Sequence, residues 1–76
     1  MVDGSTDDDP RGVFAANLRH ARMAAQLSQE ALGLAVGLHP TEINRLERGR
    51  RNPGLLTVVR LARGLEIPAA DLVRGL

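Results

Sequence analysis

A chain of 76 residues without a single cysteine has no disulfide and no thiolate metal site to hold it together. That length is near the lower limit for folding without such staples, so the fold must rest on aliphatic packing. Hydrophobic residues make up 43% of the chain, mostly Leu, Ala and Val, and Phe14 is the only aromatic. Abundant Ala, Leu and Arg, with few β-branched or aromatic residues, favour helix over strand. The expectation is one all-α domain. No apolar run is long enough to span a membrane and the N-terminus lacks a basic-then-apolar leader, so the chain is expected to be soluble and cytoplasmic.

Charge is divided unevenly. Residues 1–10 carry Asp3, Asp7, Asp8 and Asp9 and no base, whereas residues 11–76 hold all ten arginines against Glu30, Glu42, Glu47, Glu66 and Asp71. The first segment, without apolar periodicity and rich in Asp, Gly, Ser and Pro, reads as a disordered acidic arm at 1–10 whose main effect is solubility. The remainder, 11–76, is a basic domain that suits a polyanionic partner.

Helical periodicity begins at Val13. Phe14, Leu18, Ala21 and Ala25 share one face of a first helix from about Pro10 to Ala25. Ser28 is placed to cap a second helix, Gln29 to Val36, and Gly37 stops it. Pro40 opens a third, to about Arg48, with Ile43 and Leu46 inward and Gly49 at its end. Turn residues fill Arg50 to Gly54. A fourth helix is expected from Leu55 to about Arg63, with Leu56, Val59, Leu61 and Ala62 as its apolar set and Gly64 as its stop. Pro68 opens a short fifth helix through Asp71, Leu72 and Val73. Five short helices in this order suggest a compact orthogonal bundle.

Residues 29–48, QEALGLAVGLHPTEINRLER, constrain the reading most closely. Leu32, Val36 and Leu38 are apolar, Gly33 is small where two crossing helices approach, and Gly37 sits where the turn needs a left-handed residue. Two helices joined by a short glycine turn form a helix-turn-helix, whose second helix stands out and fits a major groove. On that helix His39, Thr41, Glu42, Asn44, Arg45 and Arg48 point away from the apolar side. Arg45, Arg48, Arg50 and Arg51 place four guanidinium groups within seven residues, the last two positioned to straddle phosphates.

Leu18-Arg19-His20-Ala21-Arg22, Leu27-Ser28-Gln29-Glu30, Gly37, Ile43 to Gly49, Arg51-Asn52-Pro53 and Leu61 to Leu65, in this order, resemble the Xre/Cro, lambda-repressor-like helix-turn-helix regulators over residues 13–76. The resemblance implies a five-helix lambda-repressor-like domain that binds double-stranded DNA. It implies that Thr41 and Arg45 touch base edges, with His39 or Glu42 beside them. Gln29 would contact a phosphate and buttress the reading helix, and Asn44, Arg48, Arg50 and Arg51 would mainly contact the backbone. Arg22 and Glu47 match a structural ion pair between the first and third helices. Three residues depart from the pattern: Pro40 where a side chain often reads a base, Gln26 where glycine usually precedes the second helix, and Pro68 where a capping hydroxyl is usual.

One such domain covers few base pairs, so a homodimer on a roughly palindromic operator is expected, joined through Leu72, Val73 and Leu76 of the last helix. Gly37-Leu38-His39 and Arg51-Asn52-Pro53 are similar to restriction–modification controller proteins. Antitoxins and phage or plasmid repressors share the architecture, and the choice between activation and repression stays open. An enzyme is disfavoured, because His20 and His39 lie on different helices without partners spaced for metal or general-base work. No cofactor, metal or small-molecule ligand is expected. The rival reading is a protein-interaction module or antitoxin-type partner on the same fold, for which an apolar or acidic face at 39–51 would be needed.

Overall fold

The computed structural model describes residues 9–76, which form five helices: α1 (Pro10–Ala24), α2 (Gln29–Val36), α3 (Pro40–Glu47), α4 (Leu55–Leu65) and α5 (Ala69–Leu72). No strand occurs among the described residues. Most of the expected arm, residues 1–8, lies outside them.

Asp9 and Pro10 belong to the helix rather than to the arm. The Asp9 carboxylate accepts a hydrogen bond from the Arg11 backbone N–H at 2.9 Å and caps α1, and Pro10 occupies the first turn, where its missing N–H costs nothing. The Arg11 guanidinium also bonds this carboxylate, and together the two bonds hold Asp9 below the ordinary carboxylate range. At the far end of α1, Gln26 turns the chain at φ 60°, a left-handed conformation that costs a residue with a Cβ.

The start and stop of α2 follow from two residues. Ser28 Oγ accepts from the Ala31 N–H at 2.9 Å, and Gly37 adopts φ 75°. A Cβ on Gly33 would collide with the Leu38 carbonyl oxygen, so the turn closes against bare backbone there. His39 begins α3, its Nδ1 accepting from the Thr41 N–H at 3.0 Å.

Two expectations for α4 are corrected. Gly64 does not stop the helix, which runs on to Leu65 and ends at Glu66, itself left-handed at φ 57°. A Cβ on Gly64 would meet Val36, so the glycine serves the packing of α4 on α2. The inward set is Val58, Leu61, Ala62 and Leu65, at i, i+3, i+4 and i+7. Leu56 lies on the opposite side of this stripe and, like Leu55, is 78% exposed.

Leu18, Leu32, Ile43, Leu46, Leu61 and Leu72 are the largest fully buried side chains. Each contributes about 1.5–3 kcal/mol by leaving water. The principal helix contacts close into a ring: α1 on α3, α3 on α2, α2 on α4, α4 on α5, and α5 back on α1. Leu72, expected at a dimer contact, is fully buried inside that ring, so its side chain closes the core and has no surface to offer a partner. Asn17 of α1 ties the ring's ends by donating to the Leu72 and Arg74 carbonyl oxygens at 3.0 and 2.9 Å.

Candidate nucleic-acid interface

Two apolar side chains seat the third helix on the core, and Thr41, Arg45 and Arg48 are left outside. Ile43 and Leu46 are buried against α1 and α2, while Thr41, Arg45 and Arg48 are exposed and Asn44 and Glu42 are half-buried. Gly49 turns the chain at φ 71°, and Arg50 and Arg51 follow on the surface. The result is one continuous polar, arginine-bearing edge from Thr41 to Arg51.

Behind this edge a chain of hydrogen bonds crosses three helices. Arg22 of α1 meets the Glu47 carboxylate of α3 in a forked pair, Nε to Oε2 at 2.6 Å and Nη2 to Oε1 at 3.0 Å. Its Nη1 donates to the Leu27 carbonyl at 2.8 Å, which holds the α1–α2 connection. Gln29, first residue of α2, donates Nε2 to Glu47 Oε1 at 3.2 Å and accepts from Asn44 Nδ2 at 3.4 Å. The Glu47 side chain is 3% exposed and that of Arg22 14%. Bonding to Glu47 outweighs burial and raises the Arg22 pKa above its ordinary range. A buried charge held by several donors fixes geometry, and removing one partner strands the other. Glu47 is therefore a structural anchor, and the donors around it fully account for an acid near a basic cluster.

Gln29 and Asn44 also line a shallow open depression with Arg22, Ser28, Glu30, Pro40 and Thr41, at the N-terminal end of α2. The N–H groups of a helix's first turn and their partial positive charge favour a phosphate at such a place. Gln29 thus braces α3 at the edge of this depression.

Other site residues pair in ways that sequence did not foretell. Glu42, expected near bases, and Arg51, expected at a phosphate, meet each other at 3.3 Å, with side chains 30% and 49% exposed. A surface bridge of this kind contributes between about 0 and 1 kcal/mol and opens readily. The His39 Nδ1 is taken by the α3 cap, so only its Nε2 faces outward. Arg60 of α4, absent from the sequence-derived site, donates Nη2 to the Val36 and Gly37 carbonyl oxygens at 2.7 and 3.3 Å. Nothing in the sequence sets it apart from Arg63, the other arginine of α4.

Beyond α5, Val73 and Leu76 are 39% and 64% exposed, and both line a groove with Phe14, Pro53 and Val58. Among the described residues no cluster of His, Asp or Glu is arranged to hold a metal, and no helix is long and apolar enough to cross a membrane.

A projecting helix with an outward guanidinium edge, launched from a glycine turn and clamped by a buried ion pair, defines a DNA-binding regulator of transcription. Residues 18–72 match the family model described as Helix-turn-helix (HTH_3), and the chain belongs to that family. It is 38% identical over 65 residues to the control protein C.SmaI of Serratia marcescens, covering 86% of this chain and 77% of that protein. The crystal structure of the restriction–modification controller protein C.AhdI from Aeromonas hydrophila superposes with a TM-score of 0.79 at 37% identity, over 82% of this chain and 94% of that one. A hypothetical transcription factor, NHTF from Neisseria, gives 0.83 at 32% identity, over 96% and 84%.

Proposed function

We propose that this chain is a controller-type transcriptional regulator that binds a roughly palindromic operator as a homodimer, with α3 of each subunit in a major groove. The observation that carries the reading is the two-sidedness of α3: Ile43 and Leu46 are sealed in the core while Thr41 and Arg45 stand free. Arg45 reads a guanine by paired bonds to O6 and N7, and Thr41 meets a neighbouring base through its hydroxyl or methyl. His39 offers an Nε2 donor and Glu42 an acceptor at the margins of the same surface. Pro40 contributes no polar group, which concentrates readout on Thr41 and Arg45. Gln29, Asn44, Arg48, Arg50 and Arg51 hold the sugar–phosphate backbone and set the register of the helix.

The dimer forms through the apolar surface at the α4–α5 end, where Val73 and Leu76 are exposed and Leu55 and Leu56 begin α4. With half-sites about 34–36 Å apart, two copies read enough sequence for a single operator to stand out. The controller role is supported by the names borne by C.SmaI and C.AhdI, and a methyltransferase gene beside this one would support it further. The compartment is the one that holds the DNA, the cytoplasm.

Fluorescence anisotropy with double-stranded DNA at two salt concentrations tests the reading. Three arginines per subunit, Arg48, Arg50 and Arg51, make six phosphate contacts in a dimer. Affinity should then fall about a thousandfold or more between roughly 50 and 200 mM salt. A salt-independent association, or none, would leave the protein-interaction alternative standing.

A further inference from the structure

The ring of helix contacts has one consequence for how α3 is aimed. In that ring α2 stands between α4 and α3. The shorter way round from α4 to α3 runs through α2, whose last turn and following residues lead directly into α3. Two contacts of α4 fall there. Gly64 lies directly against Val36, so that nothing larger fits. Arg60, one turn earlier on α4, donates its Nη2 to the carbonyl oxygens of Val36 and Gly37.

Those carbonyls end α2 and have no partner within the helix, and they carry the negative end of its dipole. A guanidinium satisfies both needs at once, and at 2.7 Å the bond to Val36 is in the charge-assisted range. Gly37 fits the same arrangement. A side chain there would begin 2.8 Å from Arg60 Nη2, and the residue is left-handed at φ 75°. The Leu38 N–H then closes the turn onto the Gly33 carbonyl at 2.9 Å, immediately before His39 caps α3.

We propose that Arg60 is a positioning residue for DNA recognition, a strap from α4 to the glycine turn that sets the angle of α3 relative to the dimer-forming end. The inference rests on α3 being the reading helix and α4–α5 the subunit contact. A strap of this kind matters where geometry must match two half-sites at once, and matters little to contacts that are blind to sequence. Arg60 therefore governs selectivity more than affinity for DNA in general.

The test compares the wild-type chain with Arg60→Met and Arg60→Lys. Two probes are used: a duplex that the wild-type protein selects from a random-sequence pool, and a random-sequence duplex of equal length. Arg60→Met should weaken the selected duplex about tenfold, the loss of one charge-assisted hydrogen bond, and the random duplex by less than about twofold. Amide exchange at Leu38 should quicken in this variant while that of Leu18, deep in α1, stays unchanged. Arg60→Lys keeps the charge and one donor and should recover most of both effects.

Equal weakening of both duplexes would make Arg60 an ordinary backbone contact and overturn the proposal, as would unchanged Leu38 exchange. Should Arg60→Met melt below the working temperature, Arg60→Gln carries the same comparison. If the wild-type chain selected no duplex from the pool, the DNA reading would fail by itself, and the aiming role of Arg60 with it. Leu38 exchange would then show separately whether the strap itself holds the turn.

Discussion

The two ends of the molecule are built by different means. The α2–α3 end is organised by polar groups: a serine cap, a histidine cap, a left-handed glycine, and the chain from Arg22 through Glu47 and Gln29 to Asn44. The α4–α5 end has no side-chain cap on either helix, since Gly54 and Pro68 hold those places, and depends on leucines inside and outside. Polar bonds have direction and fix an angle, whereas apolar contact rewards area and tolerates sliding. In the proposed function, the end that holds a helix at one angle in a groove is braced by the first kind. The end proposed to meet another copy carries the second.

Glu47 offers the sharpest way to break this contrast. Glu47→Ala leaves the Arg22 guanidinium buried without its partner and should cost about 3–5 kcal/mol in chemical denaturation. Replacing both residues together by leucine should cost far less, because no charge is left stranded. If the single and double variants were equally unstable, the polar brace would be no more than filler.

At the other end, Leu72→Ala opens a cavity in the core and should cost about 2–5 kcal/mol. Leu76→Asp, on the exposed side of the same segment, should barely move the unfolding midpoint of the monomer but should lower the sedimentation mass of the dimer. Equal effects of the two on folding would erase the distinction between inside and outside there.

On the reading edge, Arg45→Ala should remove about 1–3 kcal/mol of discrimination at one base pair per half-site. Arg50→Ala should instead weaken all sequences alike and flatten the salt dependence, as titrations against operator and random duplexes would reveal. A uniform loss from Arg45→Ala would reassign that residue to the backbone. The smallest change is a gain. Gln26→Gly relieves a left-handed residue and should stabilise the fold by about 1 kcal/mol, read as a higher melting temperature.

Legibility in the sequence follows the same division. The bounds of α2 could be read from Ser28 and Gly37 because each acts on its own neighbours. The outward positions of Thr41 and Arg45 followed from Ile43 and Leu46, three residues apart on one helix face. The end of α4 was misjudged because a glycine inside a helix and a glycine that ends one look alike. Only the nearness of Val36 shows which it is. Leucine was equally ambiguous, for Leu72 is core and Leu56 is surface, and each had the opposite expectation. Arg60 and Asn17 were illegible altogether, since their acceptors lie 24 and 55 residues away along the chain and exist only once the helices have met.

The ring of helices also bears on when the protein starts to work. Synthesis makes α1 first and α5 last, yet these two are neighbours in the finished molecule, pinned by Asn17 to the Leu72 carbonyl. Until that leucine has been made, α1 can close against α3 but lacks the wall that α5 supplies. A chain cut before Leu72 would thus lack a buried side chain that closes the ring of helices.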